Sequence, residues 1–175
     1  MEMPTTESAR LSQIIRQKTK EIRRLCEGLD EDTASRAPSG RWSPKQILSH
    51  LCGPEGVGFM PTIRTILEKD TPRIDIEAEN PFFTGKRTGM TLLDLLTAFE
   101  REYVHIADLA AGLSEKQLAR TAHIPLFKDT PMGEYPTLAA FVGALGQYHM
   151  DFHINHMQEI LKTLGVASPL PKRNT

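Results

Sequence analysis

The chain has 175 residues, 25% of them charged, with a formal net charge of −1. That length suits one domain, residues 1–175, with a sizeable core. So even a charge balance sets up no long-range field to recruit nucleic acid or an anionic membrane, and no apolar run approaches the ~20 residues that span a bilayer.

The segment Met-Glu-Met-Pro-Thr-Thr-Glu at the start lacks the basic-then-apolar pattern of a signal peptide. Two cysteines, Cys26 and Cys52, cannot build a disulfide framework. Reduced, buried thiols in a cytoplasmic protein are the expectation.

In chain order, polar residues with capping character (Thr5, Thr6, Ser8) precede apolar positions at Leu11, Ile14, Ile15, Ile22, Leu25 and Leu29. That spacing predicts a first helix over residues 6–28, with Arg16–Arg24 on its solvated face. The acidic, Pro/Gly-containing stretch 30–40 ends it. Trp42-Ser43-Pro44-Lys45 then signals a helix start, with Ser43 as cap and Pro44 in the first turn, where its missing N–H costs nothing. A second helix is expected over 43–69, interrupted near 53–58, where Gly53, Pro54, Gly56 and Gly58 are poor helix formers. Such a break loosens the chain beside His50.

Residues 71–89, with Pro72, Pro81, Gly85 and Gly89, read as a long loop: either a lid, with Phe82 and Phe83 as the residues of interest, or a mobile segment. Leu92, Leu95, Leu96, Phe99, Tyr103, Ile106, Leu109 and Leu113 mark a third helix over 91–113, and Ser114–Leu118 one further turn. After an irregular connection, Thr137 caps a fourth helix running to Leu164, stopped by Gly165 and Pro169. Residues 168–175 form a polar tail. Strand signals are scarce, so the expected fold is all-α, a four-helix bundle with long crossover loops.

The fourth helix carries the chemistry. His149, His153 and His156 stand four and three residues apart. At about 100° per residue, His153 lies roughly 40° to one side of His149 and His156 roughly 20° to the other. On uniform helical spacing they share a face with Leu138, Phe141, Val142, Leu145, Phe152, Ile160 and Leu164. Met150, Asp151, Asn155, Gln158 and Lys162 fall on the sides or back. Imidazoles inside an apolar stripe are either hydrogen-bonded packing residues or metal ligands. Three together, left unpartnered, cost a few kcal/mol that a metal would offset.

A metal site needs a ligand from a second element, and His50, beside Ile47 and Leu51, is the histidine placed to supply it. His105 falls off the third helix's apolar stripe, and His123 lies in a loop. Three histidines with open positions describe a catalytic rather than a closed structural site. His50 and Cys52 point about 200° apart on a helix, which speaks against a cysteine–histidine pair. Asp151 and Glu159 lie away from the histidines and are not assigned as bases. Zincin, nucleophile-elbow, P-loop and dinucleotide motifs are missing.

Taken together, three segments resemble the DinB-like, or YfiT-like, superfamily. These are Trp42-Ser43-Pro44-Lys45-Gln46-Ile47-Leu48-Ser49-His50-Leu51, then Glu55 where that family often has a glutamate, and His149-x-x-x-His153 on the last helix. The resemblance runs in order over nearly the whole chain. It implies an up-down-down-up four-helix bundle with a divalent metal on His50, His149 and His153: zinc or nickel, with iron and manganese as alternatives. His156, standing where the family has glutamine, would support those ligands from behind.

The resemblance further implies a homodimer and a small-molecule substrate. The activity it suggests is thiol S-transfer with a low-molecular-weight thiol, or hydrolysis. The rival expectation is a non-enzymatic metal-binding, stress-response or interaction bundle.

Overall fold

The computed structural model describes residues 6–171. Thr5 and the tail residues 172–175, assigned above to a cap and a polar end, lie outside the described residues. Helix α1 spans Thr6–Cys26 and buries Leu11, Ile15, Ile22 and Leu25. Its basic face is solvated as expected, with Arg16, Lys20, Arg23 and Arg24 exposed, and it carries surface ion pairs: Arg16 and Arg23 reach Asp108 and Glu100, and Lys18 lies 2.8 Å from Asp151. A short helix not expected from sequence, α2 (Glu31–Ser35), follows, capped by the Asp30 side chain.

The interruption in the second helix is real. Helix α3 (Pro44–Leu51) opens with the expected Ser43 cap and Pro44, completed by Gln46 returning a bond to the Ser43 N–H. It stops at Leu51, and α4 (Met60–Glu68) begins eight residues after Cys52. Gly58 sits at φ +71°, and a Cβ there would come within 2.4 Å of the Glu102 carboxylate. That close approach lets Glu102 accept from the N–H groups of Phe59 (2.6 Å) and Met60 (3.1 Å), capping α4 from across the bundle.

Helix α5 (Leu92–Ala111) carries the predicted stripe, with Thr91 and Asp94 forming its capping box. Ser114 caps the single turn α6 (Glu115–Leu118). The last long helix starts at its predicted cap, Thr137, but has three parts: α7 (Leu138–Gly143), a π-helical turn (Ala144–Tyr148) and α8 (His149–Thr163). Helix α1 packs along α5, and α8 packs against α1 and α3. Among the described residues no strand forms. Isolated bridges join Arg73 to His123 and Thr121 to Thr137. The architecture is an all-α four-helix bundle, and no helix among the described residues is long and apolar enough to cross a membrane.

The π turn changes which face of the last helix is buried. The His149 N–H bonds back five residues to the Ala144 carbonyl, so one extra residue is absorbed within the turn. Everything beyond it is displaced by one position from uniform spacing. Met150, Ile154, Met157 and Leu161 are fully buried in the core, each one residue later than His149, His153, His156 and Ile160. Uniform spacing put Met150 on the side or back and Phe152 in the stripe; in fact Met150 is core and Phe152 is exposed. The displacement turns the histidines to the edge of the core, toward α3. Gly146, inside the turn, lets α1 come close: a Cβ there would lie 2.4 Å from Ile15 Cγ1.

Candidate metal centre

Three histidines from two helices converge at that edge. His50 is in the last turn of α3, while His149 and His153 are one turn apart on α8. One nitrogen from each lies within 4.8 Å of the others. The break after α3, which threatened to misplace His50, instead leaves it held by a loop. Its Nδ1–H donates to the Asn80 carbonyl at 2.6 Å. That bond fixes the tautomer, so the Nε2 lone pair points inward, 2.8 Å from His149 Nε2.

The donor chemistry fits a metal. His50 and His153 are buried, and Nδ1 of His149, His153 and His156 has no hydrogen-bond partner among the described residues. Burial, reinforced by His50, pushes the His149 imidazolium down to about 3. Burial with His149, His50 and His156 around it pushes His153 down to about 2. His50 is also lowered, mainly by burial and against the opposing pull of the Asn80 carbonyl. All three are therefore neutral imidazoles at ordinary pH, the form in which histidine ligates. The triad could hold one divalent ion.

His156 lies beside the triad, not within it. Its ring centroid is 5.7 Å from that of His153, and its imidazolium is disfavoured by burial and then by Arg41. His105 is exposed, as expected, and its position off the stripe explains why. His123 is better fixed than its loop suggested. Its N–H donates to the Pro72 carbonyl, its own carbonyl accepts from Ile74, and its ring stacks on Tyr135.

The acidic residues near the histidines have other partners. Glu55 accepts from the Lys86 N–H at 2.9 Å, pinning the loop. Asp151 and Glu159 pair with Lys18 and Arg41. Both cysteines are free and buried, with thiols pushed up to about 12 chiefly by burial. Cys52 Sγ faces the Leu95 carbonyl, which removes it as a nucleophile.

Residues 71–89 are a strap tied to α3. Buried Arg87 reaches from a 3₁₀ turn, Gly85–Gly89, to the carbonyls of Ser49 (2.9 Å) and Gly53 (2.5 Å) at the end of the helix that bears His50. Neither this role nor that of Asn80 is visible in the sequence. Neither follows a periodic pattern, and a main-chain carbonyl has no signature in sequence. Phe82, singled out from sequence, does reach the site and lies parallel to His50 with centroids 6.1 Å apart. Trp42, which opens both the helix-start signal and the resemblance segment, sits against His50 at 5.1 Å and His156 at 5.9 Å and stacks on His153 at 6.2 Å.

No family model matches the sequence, and no curated protein matches it. Among solved structures, the chain is similar to YfiT from Bacillus subtilis, described as a probable metal-dependent hydrolase with an unusual four-helix bundle topology. The likeness has a TM-score of 0.70 at 19% identity and covers 95% of this chain and 93% of that one. The chain therefore shares the four-helix-bundle fold of YfiT, as its Trp42–Leu51 and His149–His153 segments led one to expect.

Proposed function

We propose that the protein is a divalent-metal-dependent enzyme acting on a small molecule, with His50, His149 and His153 as the ligands. The carrying observation is the convergence of three neutral imidazoles, His50 and His153 buried and His149 half-buried, whose nitrogens lie within 4.8 Å of one another. The YfiT description favours hydrolysis, and thiol S-transfer is the alternative chemistry for the same centre. Three neutral ligands leave the ion's full charge to polarise a carbonyl or to acidify a bound water or thiol.

The chain's own residues do the rest. The Asn80 carbonyl holds the His50 ring, and Arg87 holds the helix end that carries it. The aromatic rings beside the triad limit its exposure, leaving His50 6% and His153 4% exposed. A solvated imidazole base is not available from His153, whose proton affinity is suppressed by burial.

The test is turnover by the zinc- and nickel-loaded protein on ester, amide and electrophilic small molecules, each with and without a low-molecular-weight thiol. Product formed without thiol supports hydrolysis, and product requiring thiol supports transfer. No turnover from a protein that retains its metal favours the non-enzymatic metal-binding bundle.

A further inference from the structure

We infer that the site takes a small molecule whose reacting end is carried on an aromatic or other bulky apolar group, and that Trp42, Phe82 and Phe152 select it. This rests on the reading of the triad as a metal centre.

Four separate segments each deliver an aromatic ring to the three imidazoles. Trp42 comes from the turn before α3, Phe59 from the start of α4, Phe82 from the strap and Phe152 from α8. Phe59 meets His149 edge-on with centroids 6.2 Å apart, and Phe152 meets His153 edge-on at 5.0 Å. If these rings served only to pack the histidines, they would be covered. Phe152 is 65% exposed while the His153 beneath it is 4% exposed, and Trp42, Phe59 and Phe82 are half-buried. The rings therefore form a partly open apolar rim around a polar centre, the arrangement of a ligand site.

Phe82 adds an independent sign. It occupies φ +49°, where a bulky side chain is an outlier and packing alone would favour glycine or asparagine. The neighbouring Asn80 side chain accepts from the Phe82 N–H at 2.7 Å and holds the strained turn. That strain puts the ring over His50.

Charge points the same way. The carboxylates nearest in sequence to the histidines, Asp151 and Glu159, are engaged by Lys18 and Arg41, and Arg87 is spent on backbone carbonyls. The rim thus offers stacking and apolar contact in place of a salt bridge, which suits an uncharged apolar substituent better than a phosphate or carboxylate.

The experiment uses the zinc-loaded full chain and two hydroxamates that chelate a metal through the same two oxygens: acetohydroxamate, with a methyl group, and benzohydroxamate, with a phenyl. Binding is followed calorimetrically and, since Trp42 is the sole tryptophan, by its fluorescence. The expected result is at least tenfold tighter binding of the phenyl compound with a change in Trp42 emission. In Phe152→Ala and Phe82→Gly the ratio should fall to threefold or less while acetohydroxamate affinity is kept; glycine at position 82 relieves the strained backbone, so that variant keeps its fold.

Equal affinities in the wild type, or a ratio unchanged in both variants, overturns the inference. So does failure of both hydroxamates to bind a protein that retains one zinc, which leaves the metal reading standing. Failure to retain zinc at all defeats that underlying reading instead. If Phe152→Ala converts a dimer to a monomer in sedimentation without changing the ratio, the exposed ring serves a second copy of the chain, and the inference falls.

Discussion

His50 gives its Nδ1 proton to the Asn80 carbonyl and so presents a bare Nε2 to His149. Without metal, His149 Nε2–H donates into that lone pair. Ligation through the same nitrogen would require His149 to carry its proton on Nδ1 instead, leaving the Nε2 lone pair for the ion. His153 has no such exchange, and its Nδ1 is partnerless along with that of His149. Because burial holds His149 to about 3 and His153 to about 2, below the ordinary 6.5, the unfolded chain binds protons that the folded chain refuses. Stability of the metal-free protein is therefore complete above pH 6.5 and is lost as pH falls from there toward 3. The loss reaches about 1.4 kcal/mol per pH unit for each histidine. A melting series on chelator-treated protein from about pH 7 to about pH 4 should show this decline; a flat melting temperature would mean the imidazoles are solvated.

Arg87 is the other decisive residue. Replacing it with alanine removes the Arg87 bond to the Gly53 carbonyl, leaves the Ser49 carbonyl only its 3.2 Å bond from the Cys52 N–H, and frees the strap. A loss of about 2–4 kcal/mol is expected in denaturant unfolding, with weaker metal retention. A loss below about 0.5 kcal/mol, the scale of an ordinary surface substitution, would show the strap is not held there.

At the scale of elements, the start signals were legible because they are local chemistry. Ser43-Pro44 and Thr137 each set a helix start by a side chain bonding to a nearby N–H, and both are found. The glycines and proline of 53–58 likewise announced the break between α3 and α4. The π turn was not legible, because one absorbed residue leaves no composition signature. It shifts the phase of everything after it, which is why Met150 and Phe152 exchanged their expected roles.

The phase of α8 can be tested by deletion. Deleting Gln147 removes the extra residue and restores uniform spacing, leaving Met150, Ile154 and Met157 facing the core. The deletion protein should fold with near-native helicity. Deleting Gln147 and Tyr148 together rotates α8 by about 100° and drives those side chains out of the core, so that variant should fail to fold cooperatively. Circular dichroism melts compare the two, and equal damage from both deletions would refute the phase account. Within the same turn, Gly146→Ala should cost about 1–3 kcal/mol through the clash with Ile15, read by the same melts.

For the whole molecule, bundle and site depend on each other. The bundle edge gathers imidazoles whose burial is unfavourable unless something binds them, and a metal that binds only the folded chain adds stability by mass action. The histidine triad was legible because two helical positions one turn apart need only one partner, and His50 stood beside an apolar stripe. The strap was not, because its contacts are long-range and mostly to main chain. The most direct test is divalent-metal content by elemental mass spectrometry on untagged protein, beside the His149→Ala/His153→Ala double variant, with melting in chelator. About one metal ion per chain, lost in the variant and accompanied by a lower melting temperature in chelator, is the predicted result. Wild-type protein that binds no metal when supplied with zinc or nickel, and melts identically in chelator, would contradict it and leave His50, His149 and His153 as core residues.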